Sequence, residues 1–144
     1  MPAECLRELE QADLILHAGD FVEASVLQEL RSFAPVEAVY GNMDEPELAR
    51  LLSERRVVEV GGARIGMVHV PGPSEGRAER LAEQFPGCDA IVYGHTHAPE
   101  ATRYGSTWIL NPGSPTERRR APGHSMLVLE VEEGRVEPKL VDLP

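Results

Sequence analysis

The sequence of 144 residues predicts an α/β fold, and three observations support that class. Apolar runs alternate with helical patterns in the first half of the chain, which is typical of parallel strands joined by crossover helices. From residue 57 onward, apolar segments separated by glycine-containing turns indicate hairpins. Several apolar runs also end in side chains that can bind metals. The length predicts a single domain over residues 1–144.

The first half begins with an amphipathic segment that carries Leu6 and Leu9 on one side and polar residues on the other,. Pro35 ends the second helical pattern, and Pro46 opens the third, where its lack of an N–H costs nothing. The predicted elements are a helix over 1–12, a strand over 14–17, a helix over about 22–33, a strand over 36–40 and a helix from 46 to about 53.

The second half combines hairpins with one more helix. Gly61 and Gly62 separate two apolar segments, as in a two-residue turn with positive φ,. Pro86 and Gly87 close the helical pattern before the apolar run that leads to Tyr93. The predicted elements are strands over 57–60 and 64–69, a helix over 75–85, and strands over 88–92, 101–103, 107–110, 125–131 and 136–141.

Charge and composition exclude some functions. The net charge of −10 argues against general nucleic-acid binding, which depends on clustered basic residues,. The run Arg118-Arg119-Arg120 is the exception, and a solvated loop is favoured over a phosphate-binding role. Cys5 and Cys88 lack the spacing of a disulfide framework or a thiolate metal site. The sequence shows neither a leader nor a run of about 18 apolar residues, so we expect a cytoplasmic protein without a membrane segment.

Five potential metal ligands follow the predicted strands. They are Asp20, Asn42, His69, His95 and His97. The two imidazoles of Gly-His-Thr-His are spaced i and i+2, so on an extended backbone both rings lie on one face. Each residue alone is also compatible with an ordinary turn or, for His69, with a surface or hydrogen-bonded histidine. Their shared placement at strand ends predicts a metal site.

Together, four segments resemble the calcineurin-like metallophosphoesterases, and most closely their small bacterial and archaeal phosphodiesterase branch. The segments are Gly19-Asp20, Gly41-Asn42-Met43-Asp44, His69 and Gly94-His95-Thr96-His97, and the later loop Leu110-Asn111-Pro112-Gly113-Ser114 agrees with them. The resemblance implies a four-layer α/β/β/α sandwich of two mixed sheets. It covers nearly the whole chain.

One part of the family pattern does not occur in the sequence. The family begins with a strand that ends in Asp-x-His, and nothing upstream of Leu14 carries that pattern. The chain therefore resembles a family member without its first strand. Two alternatives remain beside a phosphodiesterase: a scaffold or regulatory domain of the same fold, as the retromer subunit of this superfamily illustrates, or a gene start assigned too late. Without that strand, its neighbours in the sheet would have unpaired backbone groups, which favours a homodimer.

The resemblance also assigns roles to the five ligands. It implies that Asp20 bridges two divalent metals, that Asn42, His69 and His95 complete one metal site, and that His97 belongs to the other. Mn²⁺ is the expected ion, with Ni²⁺, Fe²⁺ or Zn²⁺ as alternatives. Without Asp-x-His, a single metal is expected here. Catalysis would depend on Asp20, Asn42 and His95, with a metal-bound hydroxide attacking a phosphodiester or phosphomonoester.

Four further residues affect this expectation. Asp44 is interpreted as orienting the Asn42 loop, with a simple turn as the alternative. Asn111 and Ser114 belong to a loop that is expected to place backbone N–H groups near the phosphate or to serve as a structural turn. Met43 stands where the superfamily often has a histidine that protonates the leaving group, so esters with good leaving groups should be favoured.

Overall fold

The structure is a computed structural model, and it describes residues 3–17, 30–39, 55–94, 96, 99–113 and 124–143. The two helices that it delimits are α1 (Ala3–Gln11) and α2 (Arg77–Gln84). The strands are β1 (Ile15–His17), β2 (Val36–Ala38), β3 (Arg55–Val60), β4 (Ala63–Val68), β5 (Ala90–Tyr93), β6 (Glu100–Tyr104), β7 (Thr107–Asn111), β8 (His124–Glu132) and β9 (Arg135–Leu143). The predicted α/β class is confirmed.

Five strands form one mixed sheet in the order β3-β4-β5-β7-β6. The three central strands, β4, β5 and β7, run parallel, whereas β3 and β6 pair antiparallel at the two edges. The crossover from β4 to β5 contains α2, as expected for a parallel pair. Because the three central strands point the same way, their carboxyl ends lie at one edge of the sheet. We call this the carboxyl edge.

The predicted glycine turn connects β3 and β4. Gly61 and Gly62 have φ angles of 55° and 84°, which side chains rarely adopt,. A Cβ atom on Gly61 would also lie 2.9 Å from the carbonyl oxygen of Val131. The Gly61 oxygen accepts a hydrogen bond of 2.8 Å from the N–H of Gly134, in the β8–β9 turn. Both the conformation and the contact therefore require glycine at position 61.

A second layer of strands packs against one face of the five-stranded sheet. It contains the parallel pair β1–β2 and the antiparallel hairpin β8–β9, and in the described residues these pairs are not joined by hydrogen bonds. Both pairs contribute apolar side chains to the interface with the larger sheet, as in other face-to-face sheet packings. The buried residues of this core are Val39, Ala63, Ile65, Met67, Ala90, Val92, Leu110 and Val136.

Helix α2 covers the opposite face of the five-stranded sheet. Leu81 and Phe85 are buried there against Ile91 and Ile109. Gly66 of β4 permits the close approach, because a Cβ atom at this position would lie 2.6 Å from Cδ1 of Phe85. The sheet is therefore covered on both faces, as its almost wholly apolar parallel strands require.

Helix α1 packs on the outer side of the second strand layer. Leu9 is buried with Ile15 and Ala38, and Met126 and Val141 of the hairpin pack against the same cluster. Neighbouring residues of β1, Ile15 and Leu16, belong to different clusters because successive side chains point to opposite faces of a strand,. The order α2, five-stranded sheet, second strand layer, α1 confirms the four-layer arrangement.

The helix predicted over about 22–33 and the helix predicted from 46 to about 53 lie largely or wholly outside the described residues. Residues 30 and 31 are helical, and Leu30 is buried beside Leu9. Pro35 then precedes β2, and its carbonyl oxygen accepts the N–H of Ile15 at 2.8 Å. Across the described residues, no helix combines the length and the apolar character needed to cross a membrane.

Candidate metal centre

The carboxyl edge brings together three segments that the sequence singled out. His69 follows β4, Gly94 follows β5, and Asn111 is the last residue of β7. The N–H of Gly94 donates a 3.1 Å hydrogen bond to the carbonyl oxygen of His69, so strand pairing continues one step past the regular ladder. The segment that contains the two histidines of Gly-His-Thr-His therefore leaves the sheet directly beside His69.

His69 is the one predicted ligand that lies within the described residues. Only 3% of its surface is exposed, although it comes directly after the end of a strand. The burial of His69 excludes a surface histidine, which was one alternative interpretation, whereas a hydrogen-bonded histidine, the other alternative, is also compatible with a buried imidazole. A neutral imidazole is also a common ligand of transition metals.

The other predicted ligands, Asp20, Asn42, His95 and His97, lie outside the described residues, as do Asp44 and Ser114. Among the described residues there is no group of three or more histidine, cysteine, aspartate or glutamate side chains that could hold a metal. Four of the five predicted ligands are not among the residues to which that finding applies. The ligand set therefore stays a prediction.

Asn111 connects two loops at the carboxyl edge. Its side chain is fully buried, and its Nδ2 donates to Oγ1 of Thr96 at 2.9 Å. Its Oδ1 accepts the N–H of Gly113 at 2.8 Å. Thr96 stands between the two histidines of Gly-His-Thr-His. The amide of Asn111 therefore joins Thr96, which stands between the two predicted histidine ligands in the sequence, to the loop that follows β7.

Ser125 supports the same loop from β8. Its Oγ donates to the carbonyl oxygen of Pro112 at 2.9 Å. Gly113 has a φ of 72°, and a Cβ atom there would lie 2.0 Å from Oγ of Ser125. A side chain at position 113 would thus displace Ser125, which explains the glycine of the Asn-Pro-Gly-Ser loop.

A polar cluster that the sequence reasoning missed lies on the α2 side of the same edge. The hydroxyl of Tyr93 donates to a carboxylate oxygen of Glu100, and the guanidinium of Arg77 lies 5.2 Å from the centre of the Tyr93 ring. Burial, with the hydrogen bond and negative charge of Glu100, raises the pKa of Tyr93 to about 12, although Arg77 opposes this shift,. The available signal was the position of Tyr93 and Glu100 on either side of Gly94-His95-Thr96-His97, which we call the histidine segment.

Two arginines of α2 hold the loop that follows His69. Arg77 donates from Nη2 to the carbonyl oxygen of Gly72 at 3.0 Å. Nη2 of Arg80 donates to the carbonyl oxygens of Pro71 and Pro73, at 3.1 and 2.5 Å. Gly72 has a φ of 81°, and a Cβ atom there would lie 2.9 Å from the Arg80 guanidinium. The loop is therefore wrapped around a charged group.

Comparison with known proteins agrees with the fold described above. The family model described as the calcineurin-like phosphoesterase superfamily domain matches residues 1–134. A probable metallophosphoesterase of Methanocaldococcus jannaschii is 36% identical over 146 residues, which cover 99% of this chain and 73% of the relative. A phosphodiesterase of the same organism is 27% identical over 116 residues, covering 72% of this chain and 68% of the relative.

A solved structure is similar over nearly the whole chain. It is the crystal structure of wild-type Vps29 from Entamoeba histolytica complexed with Zn²⁺. The two chains superpose with a TM-score of 0.78 and 27% sequence identity, covering 99% of this chain and 89% of Vps29. The four-layer order described above is thus shared with a protein that has been crystallised with a divalent metal.

Proposed function

Because the chain belongs to the calcineurin-like phosphoesterase superfamily, we propose that it is a metal-dependent phosphodiesterase acting on small phosphate esters. The observation that carries the proposal is the burial of His69 at the carboxyl edge, beside the Gly94 that leads into His95. In this family the resemblance assigns metal binding to both histidines.

The proposed ligand set contains one carboxylate, one amide oxygen and three imidazoles. Asp20, Asn42, His69 and His95 would surround one divalent ion, whereas Asp20 and His97 alone would hold a second ion only weakly. This donor chemistry fits Mn²⁺, Ni²⁺, Fe²⁺ and Zn²⁺, with Mn²⁺ as the proposed ion. The Zn²⁺ complex of the similar Vps29 supports a divalent metal without selecting one.

Bound divalent ions supply a nucleophile at neutral pH and positive charge beside the phosphoryl oxygens. The residues of the chain supply geometry. Asn111 holds Thr96, which stands between His95 and His97 in the sequence, and the Gly94 hydrogen bond holds the residue before His95 beside His69. Ligands that are held in place in this way lose little freedom when the metal binds.

A phosphodiester is the preferred substrate class in this proposal, and phosphomonoesters are the alternative. The relative that is named a phosphodiesterase supports the diester. Met43 supports esters with good leaving groups, since it stands where a histidine could protonate a poor one,.

A second candidate function is a scaffold or regulatory domain without catalysis. The likeness to Vps29, at a TM-score of 0.78, favours this candidate. It predicts that the protein binds a divalent metal yet hydrolyses no phosphate ester.

The experiment that separates the two candidates is metal reconstitution. Protein treated with a chelator is titrated with Mn²⁺, Ni²⁺ and Zn²⁺, and hydrolysis of bis-p-nitrophenyl phosphate is followed in parallel with metal affinity. We expect Mn²⁺ to restore turnover, and His69→Ala and His95→Ala to abolish it. His124→Ala is the control, because His124 lies outside the proposed ligand set. Metal binding without turnover with any of the three ions would favour the scaffold, and turnover at equal rates with chelator and with metal would refute the metal dependence.

A further inference from the structure

Tyr93 and Glu100 close the base of the loop that contains the two predicted histidine ligands. Tyr93 is the last residue of β5 and is only 2% exposed, and Glu100 is the first residue of β6. The Tyr93 hydroxyl donates to Oε1 of Glu100. The two ends of the segment over 94–99 are therefore joined by a side-chain hydrogen bond.

The carboxylate of Glu100 is held on its other oxygen as well. Oγ1 of Thr102 donates to Oε2 of Glu100 at 2.7 Å. Hydrogen bonds to an ionised acceptor are stronger than those between neutral groups. With both oxygens engaged, the carboxylate presents a fixed acceptor to the Tyr93 hydroxyl.

Arg77 links this closure to the second loop of the site. Its guanidinium lies over the Tyr93 ring, 5.2 Å from the centre, and its Nη2 donates to the carbonyl oxygen of Gly72,. Gly72 comes three residues after His69. A continuous series of contacts therefore runs from the loop after His69, through Arg77 and Tyr93, to Glu100, which follows the histidine segment in the sequence.

We propose that Arg77, Tyr93 and Glu100 are positioning residues. They hold the loop after His69 and the histidine segment at the separation that a divalent metal requires. The inference rests on the proposed function. None of the three residues needs to touch metal or substrate. Their effect is to preorganise ligands, and the outer partners of metal ligands commonly change metal affinity by about 10- to 100-fold.

The test measures Mn²⁺ affinity by calorimetry on chelated protein, together with kcat, KM and the thermal midpoint. Tyr93→Phe keeps the ring under Arg77 and removes only the hydroxyl, so we expect Mn²⁺ to bind about tenfold more weakly. Glu100→Ala should give a similar loss, and it serves as a second variant should Tyr93→Phe fail to fold. Glu100→Gln keeps an acceptor oxygen for Tyr93 and should recover most of the affinity.

Thr107→Val is the matched control. Oγ1 of Thr107 donates to the carbonyl oxygen of Cys88 at 3.0 Å, so this variant also loses one side-chain hydrogen bond, between β7 and the segment that precedes β5. Its site lies at the opposite end of the same strands. We expect a lower thermal midpoint with unchanged Mn²⁺ affinity.

The outcomes distinguish the inference from the function on which it rests. Wild-type protein that binds Mn²⁺, with Tyr93→Phe and Glu100→Ala binding equally tightly, would overturn the positioning role and leave the proposed function intact. Weakening by Thr107→Val as large as that by Tyr93→Phe would also overturn it, because a general loss of stability would then be the cause. Wild-type protein that binds no divalent ion would remove both.

Discussion

The two ends of the parallel strands β4, β5 and β7 use similar hydrogen bonds for different purposes. At the end opposite the carboxyl edge, Oδ2 of Asp89 accepts the N–H of Arg64 at 2.9 Å, and Thr107 donates to Cys88. These bonds join β4 and β7 to the segment that precedes β5. At the carboxyl edge, the side chains of Asn111 and Arg77 instead reach from the sheet or α2 to loops, and Tyr93 reaches the first residue of β6.

This difference agrees with the proposed position of the site at the carboxyl edge. At the opposite end, β6 and β7 are joined by a short turn in which Gly105 has a φ of 62°. The connections at the carboxyl edge are longer. Buried polar groups, including Asn111 and His69, lie beside them. Buried polar groups are costly unless they are paired, so their position at this edge agrees with the site that is proposed there.

The largest expected effect is that of Asn111→Leu. The substitution removes the acceptor of the Gly113 N–H and the donor to Thr96 in a fully buried position, so we expect a loss of about 3 kcal/mol in the free energy of unfolding. Turnover with Mn²⁺ should fall at least about tenfold. Urea unfolding and the diester assay measure the two effects. Thr107→Val should cost about 1 kcal/mol and leave turnover unchanged, and equal turnover in both variants would contradict the comparison.

A pair of glycine substitutions compares the two ends directly. Gly105→Ala and Gly113→Ala both place a side chain at positive φ, which costs about 1 kcal/mol. A Cβ atom at position 105 has no neighbour within 4 Å, whereas at 113 it meets Oγ of Ser125 at 2.0 Å. We therefore expect Gly113→Ala to cost about 2 kcal/mol in urea unfolding. Adding Ser125→Ala to it should recover part of the difference, and equal costs at 105 and 113 would show that the contact is relieved without strain.

Asp89→Ala tests only the end of the sheet opposite the carboxyl edge, which we call the structural end. Loss of the acceptor for the Arg64 N–H should lower the free energy of unfolding by about 1 kcal/mol. Metal affinity and diester turnover should equal those of the wild type, because the hydrogen bonds that the structure describes for Asp89, to Arg64 and Trp108, lie away from the carboxyl edge. A change in Mn²⁺ affinity would refute the assignment of the two ends to separate purposes.

The smallest effect concerns the thiol of Cys88, which is buried at the structural end. Burial raises the pKa of this thiol, with Asp89 adding to the shift and Arg64 opposing it,. A raised pKa means a smaller thiolate fraction at mildly alkaline pH, so the folded protein should react slowly with Ellman's reagent in a Cys5→Ser background. The rate should rise steeply in urea. Fast labelling of the folded protein would show that this end opens.

Much of the fold could be predicted because its signals are local. The glycine pair at 61 and 62 and the apolar runs that became β4, β5 and β7 all have their predicted roles. The family and the four layers are confirmed as well. The manganese preference, the cytoplasmic location, the homodimer and the ligands outside the described residues stay predictions.

Part of the candidate site could be predicted for a similar reason. His69 was identified from its place at a strand end, where a polar side chain interrupts an apolar pattern, and Asn111 from the Asn-Pro-Gly-Ser loop that agrees with the family resemblance. Arg77, Tyr93 and Glu100 were not identified. An arginine at the start of a helix and a tyrosine at the end of a strand are ordinary in their own segments, and nothing in either segment indicates that they meet.

The sequence by itself determined the strand and turn pattern, the family and the residue types at the carboxyl edge, since each depends on neighbouring positions in the chain. Only the tertiary structure decided which polar groups pair there. Gly72 and Arg77 belong to the connection between β4 and β5, Thr96 and Glu100 to the segment after β5, and Asn111 to β7, and sheet order alone brings them together. Such pairing depends on distances between strands, and a linear pattern of residues contains no information about those distances until the strands are packed.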